Sequence, residues 1–259
     1  MELVAAAKMK KSQLEAIESR PYQEMLEAVI KRISFVLKPE HSFLLKEGKN
    51  NQKLIILIST NKGLCGSFNH NLFNFLLKRL TLKEEGFITI GKKGTIFVNQ
   101  IKRPLLADFS TKQSLLMVSA VIEMSLKKFF NDEVGEVLIA YNKFISVFRS
   151  EPTIERLLPI KKVEDSVKEL GEDYLIEPAP EKIIDSLLKN FIETKLSQAI
   201  ISSQAGEHSA RMMAMKNATD NANELIYDLT LTSNKLRQEK ITNELLDMIT
   251  AKESVEIKN

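Results

Sequence analysis

The sequence has few of the residues on which disulfide frameworks, zinc sites and membrane spans depend. It contains one cysteine, Cys65, and no tryptophan, so no intrachain disulfide can form and a reducing compartment is allowed. The three histidines, His41, His70 and His208, lie far apart, which argues against a zinc site. The longest aliphatic run is the five residues from Leu54 to Ile58, far below the about 20 that a membrane-spanning helix needs.

Charge of one sign is not in excess either. Lys and Arg number 37 and Asp and Glu 34, for a net charge of +3, which is too mild for a typical nucleic-acid-binding protein. The amino terminus, MELVAAAKMKK, lacks an apolar run of signal-peptide length. We therefore expect no nucleic-acid partner, no membrane-spanning helix and no Sec signal peptide, while association with a membrane through a partner stays open.

Glycine and proline are scarce at both ends and concentrated in the middle. Eight of the nine glycines lie between residues 48 and 171, and six of the seven prolines between 39 and 180. Because both residues interrupt helices and favour turns, the pattern predicts an α/β fold. We expect a long antiparallel coiled coil, formed by an N-terminal helix (1–38) and a C-terminal helix (181–259), around a small Rossmann-like α/β domain with its surface connection (39–180).

The spacing needed for helix pairing is present near both ends. In the C-terminal segment, small and apolar residues recur at heptad spacing: Ala218, Ala222, Leu225, Leu229, Thr232 and Leu236. Two stripes are candidates for the buried face of the N-terminal helix: Val4, Ala7, Lys11, Leu14 and Glu18, or Leu14, Ile17, Met25, Val29, Ile33 and Val36. The second crosses Pro21, which a helix carries only with a kink and a lost hydrogen bond.

Strand and helix patterns alternate in the central segment, which predicts a small parallel or mixed sheet. The predicted strands are Lys53–Thr60, Phe87–Ile90, Thr95–Val98 and a single or paired strand over Glu136–Phe148. The predicted helices are Asn69–Leu80 and Leu115–Phe130, with a turn over Asn61–Gly66. Residues Ser150–Pro180, with four prolines, are expected to form a surface passage.

No set of residues has the spacing of a catalytic or nucleotide-binding site. The Thr60–Gly66 turn lacks both GxxxxGK[ST] and the first glycine of GxGxxG, so a tight strand-to-helix turn is the favoured interpretation and a nucleotide-binding enzyme the alternative. Cys65 and His70 lack a third orienting group, and a semi-buried structural thiol is expected. Glu207 and His208 lack the second histidine of HExxH and are interpreted as a helix-surface pair. We expect no catalytic residue, no cofactor and no metal.

Several segments, in the same order along the whole chain, resemble the γ subunit of F-type ATP synthases. They are MELVAAAKM at residues 1–9, RPY at 20–22, KGLCG at 62–66, EHSARMMAMKNATDNA at 207–222, LTLT at 229–232 and NKLRQEKITNEL at 234–245. The C-terminal segments are the most specific.

The resemblance implies a central rotor shaft that couples ion flow to ATP synthesis or hydrolysis. In that family the coiled coil lies inside a ring of three α and three β subunits, which carries the active sites. The α/β domain stands on the c-ring beside the ε subunit, and δ, a and b belong to the same complex. The implied location is peripheral, on the cytoplasmic face of the bacterial cell membrane. A coiled-coil scaffold with an α/β platform and no rotary role is a second interpretation.

The resemblance also implies the residues that contact partners. Arg211, Gln238, Thr242 and Glu244 fall on family positions that contact the β subunits. Met1 and Lys8 fall in the opposing helix segment near the lower part of the ring. No dithiol insertion of the plastid kind is present, so thiol regulation is not expected.

The sequence departs from the family at its start. A basic helical segment that usually precedes the match to Met1 is absent, and it normally pairs with the helix around Leu225 to Ile249. Three explanations are possible: a start codon assigned too late, a fragment, or a naturally short shaft. The first two are favoured.

Overall fold

The computed structural model describes residues 2–36, 42–46, 48, 50–79, 85–110, 117–160 and 180–256. The chain divides into two compact units, Met1–Met213 and Ala214–Asn259. The three-part division predicted from the sequence stays a prediction.

Five helices and five strands make up the regular structure of the described residues. The helices are α1 (Glu2–Val36), α2 (Phe68–Arg79), α3 (Lys92–Gln100), α4 (Val118–Phe130) and α5 (Pro180–Glu256). The strands are β1 (Lys53–Ile58), β2 (Glu85–Ile90), β3 (Leu105–Asp108), β4 (Glu136–Ser146) and β5 (Arg149–Leu158). A single 3-10 turn, Phe43–Leu45, precedes β1.

The strands form one mixed sheet in the order β3-β2-β1-β4-β5. β1 pairs in parallel with β2 and with β4, and β2 pairs in parallel with β3. β4 and β5 form an antiparallel pair at one edge. The α/β fold and the mixed sheet predicted from the sequence are confirmed.

Both faces of the sheet are covered by helices, as the nearly continuous apolar sequence of β1 requires. Leu54, Ile56 and Ile58 belong to a core shared with buried residues of α1, α4 and α5. Ile55 and Leu57 belong to a second core, formed with α2 and α3 on the opposite face. Successive side chains of a strand point to opposite faces, so one five-residue run supplies both cores.

Helix α1 runs antiparallel to the first part of α5. The hydroxyl of Ser19 donates to Oε1 of Gln198 at 2.7 Å, and Asn190 Nδ2 donates to the hydroxyl of Tyr22 at 3.1 Å. Residue numbers rise along α1 as they fall along α5. The predicted antiparallel pairing of the two terminal helices is therefore present within residues 2–213.

The face that α1 buries differs from both predicted stripes. Buried and half-buried side chains follow a regular spacing of 4 and 3: Ala5, Met9, Ser12, Ala16, Ser19, Gln23, Leu26 and Ile30. In the predicted stripes, by contrast, Val4, Leu14, Ile17, Met25 and Val29 are 41–71% exposed. Both stripe predictions were wrong, because the buried face includes small and polar side chains such as Ala5, Ser12 and Ala16, which an apolar pattern does not pick out. Side chains of Ile33 and Val36 lie outside the described set.

Two further predictions need correction. The predicted strand Thr95–Val98 is part of helix α3, and the predicted surface passage begins instead with strand β5, which extends to Leu158. Residues 161–179 of that passage lie outside the described residues. Helix α1 continues through Pro21, which lies on its exposed side.

In the second unit the described side chains of residues 216–251 are all exposed. They include the predicted heptad seam, where Leu225, Leu229 and Leu236 are 60–67% exposed. Within the part of the chain that the structure describes, no helix has a stretch long and apolar enough to cross a membrane.

Candidate functional site

The strand order of the sheet reverses between β1 and β4. The chain places β2 and β3 on one side of β1 and then returns to place β4 on the other side. In open α/β sheets, the crevice at the carboxyl ends of the strands at such a point is the usual ligand site. Here helix α5 contacts the segments that follow β1 and the outer part of β4.

Two serines on one face of α5 bind the backbone of the β4–β5 hairpin. The hydroxyl of Ser202 accepts a hydrogen bond from the backbone N–H of Phe144 at 2.9 Å. About two helical turns later, the hydroxyl of Ser209 donates to the carbonyl of Val147. These contacts fix the outer part of the hairpin to the helix.

Gly206 lies between the two serines, at a place on α5 where a side chain would not fit. A Cβ at this position would lie 2.7 Å from Ser150 Oγ and 3.0 Å from Cε2 of Phe68. Phe68 is the first residue of α2, and its carbonyl accepts from Nδ2 of the buried Asn142 at 2.9 Å. Helix α5 therefore packs against the first residue of α2 and against the β4–β5 hairpin.

The amides at the start of α3 are also engaged. Free amides at a helix N-terminus are the donors with which α/β proteins hold phosphates. Lys92, Lys93 and Gly94 donate theirs to Asn61 Oδ1, the Thr60 carbonyl and Ser59 Oγ, over 2.7–3.0 Å. None of these three amides is therefore free to bind a phosphate, while the alternative of a nucleotide-binding enzyme concerns the turn ahead of α2.

Arg211 connects α5 to the segment after β1, which we call the turn 60–66 (Thr60–Gly66). Its Nε donates to the carbonyl of Gly63 at 3.2 Å, and its Nη2 donates to the carbonyl of Lys62 at 3.3 Å. The same Nη2 lies 2.7 Å from Oε1 of Glu207, one helical turn earlier. The Arg211 and Glu207 side chains are only 15% and 17% exposed, so Glu207 is not the surface residue predicted from the sequence.

Burial dominates the electrostatics of this cluster. It raises the pKa of Glu207, while Arg211 and Lys8 act in the opposite direction. Burial, together with Arg211 and Lys8, lowers the pKa of His208 to about 4. His208 is therefore neutral at pH 7, and its Nδ1 lies 3.4 Å from Nη1 of Arg211. A neutral imidazole adds no positive charge beside the guanidinium.

Cys65 and His70 do not form a nucleophilic pair. Cys65 is 3% exposed, burial raises the pKa of its thiol, and its Sγ lies 3.4 Å from Asn69 Nδ2. His70 is exposed and lies 2.8 Å from the amide of Asn74. A buried thiol with a raised pKa is a poor nucleophile, and the structural role of Cys65 stays a prediction. Among the described residues, no group of three or more His, Cys, Asp or Glu could hold a metal ion.

The six residues predicted to contact partners have different surroundings. Lys8 is exposed on α1 and lies close enough to Glu207 to affect its pKa. Gln238, Thr242 and Glu244 are exposed on α5. Their contacts are local, from Thr242 Oγ1 to the Gln238 carbonyl at 2.9 Å and from Lys240 to Glu244 at 3.9 Å.

Of the other two, Arg211 is engaged within the chain as described above, and Met1 lies outside the described residues. Sequence reasoning missed Ser202 and Ser209. Their partners are backbone groups 58 and 62 residues away, for which the sequence carries no side-chain signal.

Comparison with known proteins identifies the family. The family model for ATP synthase matches residues 1–255. The ATP synthase gamma chain of Glaesserella parasuis is 38% identical, over 96% of this chain and 90% of the relative. That of Bdellovibrio bacteriovorus is 36% identical, over 98% and 92%.

Solved structures share the fold at lower identity. A chain of the Euglena gracilis mitochondrial ATP synthase, in a structure of OSCP, F1 and c-ring, has a TM-score of 0.63 at 17% identity, with 96% of this chain and 95% of that chain covered. A chain of the Tetrahymena thermophila central stalk and c-ring has a TM-score of 0.59 at 21% identity, with 85% and 97% covered. The family model matches nearly the whole chain, and the relatives are 36–38% identical over nearly their full lengths. The chain therefore belongs to the ATP synthase gamma chain family.

Proposed function

We propose that this gamma chain is the central rotor shaft of an F-type ATP synthase. It couples ion flow through the membrane sector to ATP synthesis or hydrolysis on the β subunits, and it has no active site of its own. The observation that carries the proposal is helix α5, 77 residues long, whose residues 216–251 expose many large apolar side chains. An exposed apolar surface of this kind is typical of a protein interface.

The proposed partners are the α and β subunits, three of each, around the shaft. The ε subunit and the c-ring contact the α/β domain, and δ, a and b belong to the same complex. The chain is then peripheral to the membrane, on the cytoplasmic face of a bacterial cell. The contacts of α5 with the β4–β5 hairpin, at Phe144 and Val147, support a role of the α/β domain as a platform.

The proposed coupling is a difference in contact energy. The shaft is asymmetric and the ring has near-threefold symmetry, so each β subunit faces a different side of the helix. The contacts bias the conformation of each β subunit and hence its nucleotide affinity. Such coupling is reciprocal, so bound nucleotide also biases the orientation of the shaft.

Assembly tests the proposal directly. Co-expression with cognate α and β subunits, size exclusion and an ATPase assay should yield an active complex with one copy of this chain and three of each partner. Absence of the chain from the complex would contradict the shaft assignment and favour the scaffold.

Gln238 tests the contact surface on α5. Its side chain is exposed, and a lost hydrogen bond to a β subunit costs about 0.5–1.5 kcal/mol. We expect Gln238→Ala to lower the number of ions pumped per ATP hydrolysed, measured in reconstituted vesicles, while hydrolysis continues. Asn99→Ala, an exposed amide on α3, is the control outside this surface. Equal coupling in both variants would remove Gln238 from the contact surface.

A further inference from the structure

The side chain of Arg211 is bound within the chain and is not free to contact another subunit. We call Arg211, together with Glu207 and the carbonyls of Lys62 and Gly63 that it binds, the Arg211 clamp. Three of its hydrogen bonds stay within the chain, to the carbonyls of Lys62 and Gly63 and to Glu207. With 15% of the side chain exposed, little of the guanidinium remains for another subunit. The ion pair with Glu207 orients the fork toward the two carbonyls.

The turn that Arg211 holds has an exposed tip. Lys62 and Leu64 are exposed, Leu64 at 61%, and Leu64 has a positive φ of 63°. The Lys62 carbonyl accepts from both Arg211 and the Thr60 hydroxyl, which lies 2.8 Å away. A turn with an unfavourable backbone angle at its tip needs such contacts to keep one conformation.

We propose that Arg211, oriented by Glu207, is a positioning residue that fixes the turn 60–66 to helix α5. The side chains of Lys62 and Leu64 are thereby presented at a fixed place on the shaft. Arg211 affects coupling through this turn, and not through a contact of its own with a β subunit. This inference rests on the proposed function for its effect on coupling, while the clamp itself can be tested without it.

The effect of the positive charge of Arg211 can be distinguished from the effect of the shape of its guanidinium group. A guanidinium reaches two carbonyls and a carboxylate at once through a rigid fork, and a lysine ammonium of the same charge does not. A residue that attracts a partner by charge would tolerate Arg211→Lys. A residue that holds the turn would not.

Cys65 reports on the clamp because it is the only thiol of the chain and lies buried inside the turn. In the full-length chain, we expect Arg211→Gln and Glu207→Gln to speed modification of Cys65 by a maleimide about tenfold, which corresponds to about 1.4 kcal/mol of opening free energy. Glu15→Gln, which breaks the exposed Lys11–Glu15 pair of the same i,i+4 type, should leave the rate unchanged.

A second control separates local opening from general loss of stability. Tyr141→Phe removes a 2.8 Å hydrogen bond to Glu155, away from the turn 60–66. At a low temperature, where this variant stays folded, Cys65 in it should be modified at the wild-type rate. Labelling of Arg211→Gln at the wild-type rate, or equally fast labelling of Tyr141→Phe, would overturn the clamp.

The assembled complex then tests the consequence for coupling. We expect both Arg211→Lys and Arg211→Gln to lower ion pumping per ATP hydrolysed, with hydrolysis retained. Full coupling in Arg211→Lys together with a loss in Arg211→Gln would overturn the positioning role and leave a direct charge contact. Failure of the wild-type chain to assemble would instead contradict the proposed function, and the labelling result would still decide the clamp.

Discussion

At the scale of single residues, Gly91 shows how closely the turns that follow β1 and β2 pack against each other. It joins β2 to α3 with φ of 111°, a region that side chains avoid. A Cβ there would lie 2.1 Å from the carbonyl oxygen of Ser59. The obstacle is backbone, so it cannot rotate away. Ser59 also holds the start of α3, because its hydroxyl accepts from the backbone N–H of Gly94 at 2.7 Å.

Gly91→Ala should therefore destabilise the protein strongly. We expect the free energy of unfolding to fall by at least about 3 kcal/mol, since strain in the backbone and a steric clash add. Gly63→Ala is the control, because a Cβ there meets nothing within 4 Å, and its effect should stay within about 0.5 kcal/mol. Urea denaturation followed by circular dichroism measures both. Equal losses would show that the clash at Gly91 relaxes.

At the scale of secondary-structure elements, predictions succeeded where a long apolar pattern decides the structure. Strand β1 and helices α2 and α4 were predicted from such patterns. Thr95–Val98 has strand-favouring residues but lies in a helix, since the turn after β1 satisfies the first amides of α3. That contact is tertiary, so local propensity could not supply it.

The hairpin shows the opposite error. β5 contains Pro152 and several charges, which argue against a strand in sequence. It lies at the edge of the sheet, where both are tolerated. The Arg211 clamp was equally hidden, because its acceptors are backbone carbonyls 148 and 149 residues away.

The buried face of α1 leads to a prediction about packing. Ala16 is 8% exposed and Leu14 is 51% exposed, the reverse of what their sizes suggest. We expect Ala16→Leu to lower the free energy of unfolding by about 1–3 kcal/mol, because a larger side chain separates α1 from its neighbours. Leu14→Ala should change it by less than about 0.5 kcal/mol. Thermal and urea unfolding of the two variants would decide which face of α1 is buried.

At the scale of the whole molecule, the second unit differs from the first in what its apolar residues do. In the first unit they fill two cores on the faces of one sheet. In the second, many of them are more than half exposed, among them Leu225, Leu229 and Leu236. An exposed apolar surface of this kind is covered by partner subunits in an assembly. Without such partners, it binds a second copy of the same chain.

The free chain should accordingly self-associate. We expect its weight-average mass in sedimentation velocity to rise with concentration, and Leu229→Glu with Leu236→Glu to suppress the rise. Leu3→Glu with Leu14→Glu, at 84% and 51% exposure on α1, is the matched double control. A chain that stays monomeric at all concentrations would show that the exposed seam does not bind a second copy.

The packing of α5 on the β4–β5 hairpin also determines how this protein would respond to inhibitors. A compound shaped for this contact would compete with the protein's own helix, at Ser202, Gly206 and Ser209, instead of with a substrate. Its apparent affinity would be reduced by the small fraction of molecules in which the helix has left the sheet. Any drug acting there would work by separating α5 from the hairpin, and its potency would fall as the stability of that contact rises.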